Sequence, residues 1–118
     1  MILDLGVFED QRILKKETAE MIYKNAVPET AIPIGDRGYW RGSGWTWGGF
    51  NLVLDPDTYD FPVTKGTIWW DGSAGTRYFI DPTQNTIIVI MAQVSPSSGG
   101  GFRENFTRLV DASIVERR

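Results

Sequence analysis

Between residues 66 and 94, runs of aromatic and β-branched residues alternate with strong turn signals, and this pattern restricts the fold more than any other part of the chain. Thr67-Ile68-Trp69-Trp70 runs into Asp71-Gly72-Ser73-Ala74-Gly75, and the run from Thr76 to Ile80 is closed by Asp81-Pro82. Such runs, cut by Gly, Asp and Pro, favour hairpins over helices. The spacing predicts a strand over 67–70, a small-residue connection over 71–75 and a second strand over 76–80. Residues 86–94 are apolar on both faces at their centre, which predicts an interior strand covered from both sides.

The flanking segments complete an α+β reading. Residues 45–54 are rich in aromatic and β-branched residues and stop at Asp55-Pro56-Asp57, so they predict one further strand, followed by a loop through Asp60 and Pro62 to Gly66. Residues 28–44 contain Pro28, Pro33, Gly35, Gly38, Gly42 and Gly44 and read as a long loop. Over 13–26, Leu14, Met21 and Ile22 fall on one helical face, predicting a short amphipathic helix that ends before Pro28. Ser97-Ser98-Gly99-Gly100-Gly101 reads as a flexible link. Its glycines lack the strand-to-helix frame and the lysine of a phosphate-binding loop. Phe102, Phe106, Leu109, Val110 and Ile114 then recur at helical spacing, and this last helix is expected to cover the sheet through that face. The expectation is a single domain over 1–118, with an antiparallel sheet of about four strands flanked by an N-terminal and a C-terminal helix.

The 118 residues contain no histidine and no cysteine. A Ser-His-Asp triad, a histidine zinc site, a disulfide and a cysteine nucleophile are therefore impossible within this sequence. The net charge of −3 is made of interspersed signs, and Arg12, Arg37 and Arg41 are scattered without aromatic interleaving, so no nucleic-acid partner is expected. Met1-Ile2-Leu3-Asp4-Leu5-Gly6 has no basic start before a long apolar run and does not read as a signal peptide. The longest apolar run, 87–92, falls far short of the ~20 residues that cross a bilayer. A soluble protein without membrane contact is expected. Asp55, Asp57 and Asp60 lack the glycine and terminal glutamate of an EF-hand and read as a solvated turn, so no metal is expected. The five tryptophans read mainly as sheet packing rather than as a sugar-stacking surface.

The run Gly66-Thr67-Ile68-Trp69-Trp70-Asp71-Gly72-Ser73-Ala74-Gly75-Thr76-Arg77-Tyr78-Phe79-Ile80-Asp81-Pro82 resembles the third active-site motif and following hairpin of serine hydrolases related to class C β-lactamases, penicillin-binding proteins and their esterase cousins. The likeness continues on both sides. Gly44-Trp45-Thr46-Trp47-Gly48-Gly49-Phe50 resembles the strand before the motif, and 87–93 the strand after it. Arg12-Ile13-Leu14 with Glu17, Thr18 and Met21 is similar to the family's arginine and leucine ahead of a helix that opens with Glu-Thr. Nearly the whole chain is covered, and the resemblance implies the C-terminal sheet-and-helix portion of the β-lactamase and transpeptidase fold.

In the lactamases the third motif is Lys-Thr-Gly, and in many esterase-like relatives it is His-x-Gly or Trp-x-Gly. Here it is Trp70-Asp71-Gly72. The resemblance implies that Trp70, Asp71 and Gly72 line the substrate and that Gly72 permits close approach. It also implies that the Ser73 backbone N–H is one of two oxyanion-hole donors, the other being the N–H of the nucleophilic serine. No serine in this sequence is followed three residues later by lysine, so the family's Ser-x-x-Lys nucleophile has no counterpart. Tyr23-Lys24-Asn25 matches the family's Tyr-x-Asn in letters only, because that motif lies much further upstream and in the helical half. Asp71 departs from the more usual small residue, and a carboxylate there is expected to repel anionic substrates and favour a neutral ester or amide.

The resemblance thus implies part of a hydrolase of small esters, amides or β-lactams that works through an acyl-enzyme, needs no cofactor and is inactive without the portion carrying the nucleophile. The alternative is a non-enzymatic module that pairs through an open sheet edge with itself or a partner chain. In the family, further strands and a helix lie beside the strand that 86–94 resembles, so a homo-oligomer or a complementary chain is expected there. The compartment stays open between bacterial cytoplasm and periplasm.

Overall fold

The chain opens on a structure that the sequence did not announce, a two-stranded ribbon of β1 (Val7–Phe8) and β2 (Gln11–Arg12). Arg12 closes it by donating from Nη1 to the carbonyls of Leu5 and Leu14, each at 3.0 Å. The computed structural model describes residues 1–94 and 101–115, so Ser97, Ser98, Gly99 and Gly100 of the predicted link lie outside the described residues. Helix α1 (Lys16–Glu20) is shorter than expected and tightens into a 3₁₀ turn over Met21–Tyr23. That tightening changes which side chains face inward, since a 3₁₀ turn takes three residues rather than 3.6. Ala19 is the buried residue, Ile22 and Tyr23 pack on the sheet, and Met21, expected on the buried face, is exposed.

The expected single strand over 45–54 is instead a hairpin. Strands β3 (Ser43–Trp45) and β4 (Asn51–Val53) pair antiparallel, Ser43 opposite Val53 and Trp45 opposite Asn51. Gly49 makes the reversal possible, because its φ of +79° lies where residues with a Cβ are strained. Strands β5 (Ile68–Asp71), β6 (Arg77–Asp81) and β7 (Thr86–Ile90) follow in an antiparallel meander of spatial order β3-β4-β5-β6-β7. The main sheet therefore has five strands rather than four, and α+β is the class.

Each face of this sheet carries its own core, as the two-residue alternation of strands requires. On one face Val53, Trp69 and Phe79 join Phe61, with Tyr39, Tyr59 and Ile88 packed around them. On the other, Leu52, Ile68 and Ile80 are covered by Ile2, Leu3, Ile22 and Tyr23. Of the run 86–94, expected to be one interior strand, only Thr86–Ile90 is a strand, and it lies at the edge of the sheet with Ile90 buried while Ile87 and Val89 are 54% and 58% exposed. Unbroken apolar character predicts two-sided cover, but among the described residues only one face of β7 is covered.

Helix α2 (Phe102–Ser113) is present where the spacing predicted it, but rotated. Its buried residues are Arg103 and Thr107, while Phe106 and Leu109, predicted to face inward, are exposed. Charge pairing with the sheet overrides the apolar stripe. Towards the C-terminal end of α2, Thr107 and Ile114 border a cavity of about 260 Å³ that Phe79 and Ile88 line from the sheet side.

Candidate functional site

Strand β5 presents its residues alternately to the two cores. Ile68 belongs to one and Trp69 to the other, so Trp70 shares the face of Ile68 while Asp71 shares the face of Trp69 and looks towards α2. The Trp70 ring stands edge-on to Trp45 at 4.8 Å and to Trp40 at 6.0 Å between centroids. Trp69 is fully buried, and Trp47 is the exposed indole at 72%. Four of the five tryptophans thus pack within the chain.

Beyond Asp71 the strand opens into a tight turn. The Gly72 N–H donates to the Thr76 carbonyl at 2.9 Å, and Gly75 N–H donates back to Gly72 at 3.1 Å. A Cβ on Gly72 would run into the Thr76 hydroxyl, so any larger residue there would have to turn that side chain aside. Ser73 sits exposed at the tip, and its N–H takes no hydrogen-bond partner among the described residues. From the far side, Val94 N–H holds the Ala74 carbonyl at 2.8 Å.

The Asp71 carboxylate is not free to repel a substrate, which corrects the expectation drawn from its charge. Its Oδ2 accepts from Arg77 Nη2 at 2.9 Å and from Arg103 Nη1 at 3.1 Å. Arg77 in turn donates through Nη1 to Glu104 Oε1 at 3.0 Å, and its guanidinium lies 5.0 Å from the centre of the Phe61 ring and 5.1 Å from that of Trp69. Two cations offset two anions, so the group is neutral as a unit. The charges border a cleft of about 630 Å³ with Tyr39 and Phe61. Burial pushes the Tyr39 phenol up, and the Asp71 carboxylate adds to the rise while Arg77 and Arg103 oppose it. Sequence reasoning missed this cluster. Its one local signal was the placement of Asp71 and Arg77 directly opposite across the hairpin, whereas Arg103 comes from a distant helix.

The remaining candidates are structural. The Tyr23 hydroxyl is buried without a partner, and burial, followed by the Asp4 carboxylate, pushes its phenol up to about 12. Asn25 accepts from the backbone N–H groups of Trp45 and Val27. Asp55 caps a 3₁₀ turn by accepting from Asp57 N–H, and the Asp60 carbonyl accepts from Arg108. Among the described residues no group of three or more acidic side chains is placed to hold a metal ion, and no helix is long and apolar enough to cross a membrane.

A family model described as Beta-lactamase matches residues 1–112. Eleven chains of solved structure match as well. One of them is "EstCE1, a hydrolase with promiscuous acyltransferase activity", at 24% identity and a TM-score of 0.66, with 95% of this chain and 26% of that chain covered. At that identity the likeness is one of fold, and the chain spans about a quarter of the length of that neighbour. No curated relative matches the sequence.

Proposed function

The chain belongs to the beta-lactamase family, and on that premise we propose that it supplies one wall of a serine hydrolase active site. In this reading the wall is the Trp70-Asp71-Gly72-Ser73 segment, and the reaction is acyl transfer from a small ester, amide or β-lactam through an acyl-enzyme. A serine activated by lysine, from residues beyond this sequence, attacks the carbonyl. The negative charge that develops on the carbonyl oxygen is met by the Ser73 N–H and by the N–H of that serine. Trp70 borders the substrate, Gly72 keeps the strand end slim, and Asp71 anchors the segment from behind. The hydrolase and acyltransferase activity named for the structural neighbour agrees with this class of chemistry. The observation that carries the reading is the position of Ser73, exposed at the end of a central strand with a backbone donor that nothing in the described chain uses.

The test joins the chain to the upstream portion of a family hydrolase bearing Ser-x-x-Lys and follows turnover of a p-nitrophenyl ester. Ser73→Ala keeps the backbone donor and should change turnover little, whereas Ser73→Pro removes it and should lower turnover by about 10² to 10³. Equal turnover for the two variants in a folded, active assembly would refute the assignment.

A second reading is favoured by β7. It ends the sheet, no strand among the described residues pairs with its outer edge, and Ile87, Val89 and Met91 are exposed beside it, Met91 at 81%. Such an edge suits pairing with a second copy or a complementary chain. Light scattering that shows a monomer at high concentration, with no binding of an apolar dye, would remove this reading.

A further inference from the structure

We infer that the first turn of α2 positions the proposed oxyanion wall, with Arg103 as its principal positioning residue; the inference rests on the reading of Ser73 just given. Three consecutive residues at the start of the helix grip the hairpin that carries Ser73. Arg103 Nη1 donates to Asp71 Oδ2 at 3.1 Å, and Glu104 Oε1 accepts from Arg77 Nη1 at 3.0 Å. Phe102 lies over Gly75, where a Cβ would come within 3.3 Å of the ring edge. Asp71 precedes Ser73, and Gly75 and Arg77 follow it, so the grips bracket the donor on both sides.

Two features argue that this contact does more than hold the helix down. First, the Ser73 N–H has no bond of its own within the described chain, so its direction depends on how its neighbours are held. Second, Arg77 and Arg103 are only 4% and 8% exposed. Burying guanidinium groups is costly, and well-packed apolar side chains often serve stability as well or better. What paired charges add is direction. Asp71 Oδ2 accepts from two guanidiniums that approach from different elements, β6 and α2, so the carboxylate and the strand end behind it have one orientation. Apolar packing at Asp71 would leave that end free to twist.

The test uses the full chain labelled with ¹⁵N. It follows hydrogen exchange of the Gly72 amide, which bonds the Thr76 carbonyl, and relaxation of the Ser73 amide. The Val53 amide on β4, bonded to the carbonyl of Thr67 just ahead of β5, serves as the reference. In Arg103→Met, Gly72 exchange should rise about tenfold and the Ser73 amide should become mobile while Val53 is unchanged, the pattern of a local opening. Arg103→Lys keeps a cation beside Asp71 and should recover most of the protection. Glu104→Gln, at a partly exposed position, gives the same comparison in milder form if the methionine variant does not fold. An unchanged Gly72 and Ser73, or an equal rise at Gly72 and Val53, would overturn the inference. Its failure is distinct from failure of the oxyanion reading. If Ser73→Pro leaves turnover of the joined enzyme equal to that of Ser73→Ala while Arg103→Met still loosens Gly72, the oxyanion role falls and the positioning contact stands.

Discussion

Replacing Arg77 by methionine tests how much the buried charge cluster holds the sheet to α2. Methionine fills part of the volume but removes the cation that Glu104 and Asp71 both use. Asp71 keeps Arg103 and Glu104 is left alone. Removing one partner of a buried ion pair costs about 3–5 kcal/mol. The two carboxylates remain 24% and 22% exposed, so water can relieve part of the loss and the lower end, about 3 kcal/mol, applies. The cation also lies over Phe61, Trp69 and Phe79 at 5.0, 5.1 and 5.8 Å, and its removal costs roughly another 1 kcal/mol. The expected total is about 4 kcal/mol, a large share of a small domain's stability. Urea unfolding followed by tryptophan fluorescence, at a slope of about 1.5 kcal/mol per M, should show the midpoint lowered by roughly 2.5 M. Trimethylamine oxide in both samples keeps the variant measurable. The double variant Arg77→Met/Glu104→Gln should regain about 1 kcal/mol or more, because the stranded carboxylate is gone. A midpoint shift under about 0.5 M, or strictly additive losses in the double variant, would show that the cluster is not energetically coupled as described.

Three further outcomes follow from the same geometry. The purified chain alone should hydrolyse neither a chromogenic cephalosporin nor a p-nitrophenyl ester above background, and turnover that survives repurification but is lost in Ser73→Pro would contradict this. The Tyr23 phenol, at about 12 in the folded chain against about 10 when unfolded, keeps its proton longer in the native state. Its contribution to stability is therefore complete below about pH 10 and is lost as pH rises towards 12; absorbance at 295 nm should show an ionisation step near 12 that Tyr23→Phe removes, and a step at 10 would refute the assignment. Val89→Lys on the exposed face of β7 should abolish association and apolar dye binding while moving the unfolding midpoint little, since Val89 is 58% exposed; light scattering and dye fluorescence decide it.

Of the candidate site, the segment Trp70-Asp71-Gly72-Ser73 was legible as a unit, because a strand that runs into a glycine turn is encoded by adjacent residues. The role of Asp71 was not. Its letter suggested an unscreened charge, and its partners Arg77 and Arg103 stand 6 and 32 residues away. No pattern within a window along the chain reports a guanidinium that folding brings from another element. Tyr23 shows the converse. Its position relative to the third motif was enough to set it aside, and the structure places its hydroxyl in the interior below the sheet.

Signals between neighbouring residues were enough for the meander from β5 to β7, for the family and for the chemistry ruled out by the lack of histidine and cysteine, because turn residues, strand propensity and composition do not depend on distant contacts. Long-range packing settled three other features. It made two strands of 43–53, where Gly49 took a backbone conformation open to glycine. It made β7 an edge, because cover comes from whatever packs against a strand and not from the strand's own residues. And it turned α2 so that Arg103 and Thr107 face the sheet while Phe106 and Leu109 face outward, because a buried arginine must reach its carboxylate, and that requirement outweighed the apolar stripe from which the helix was read.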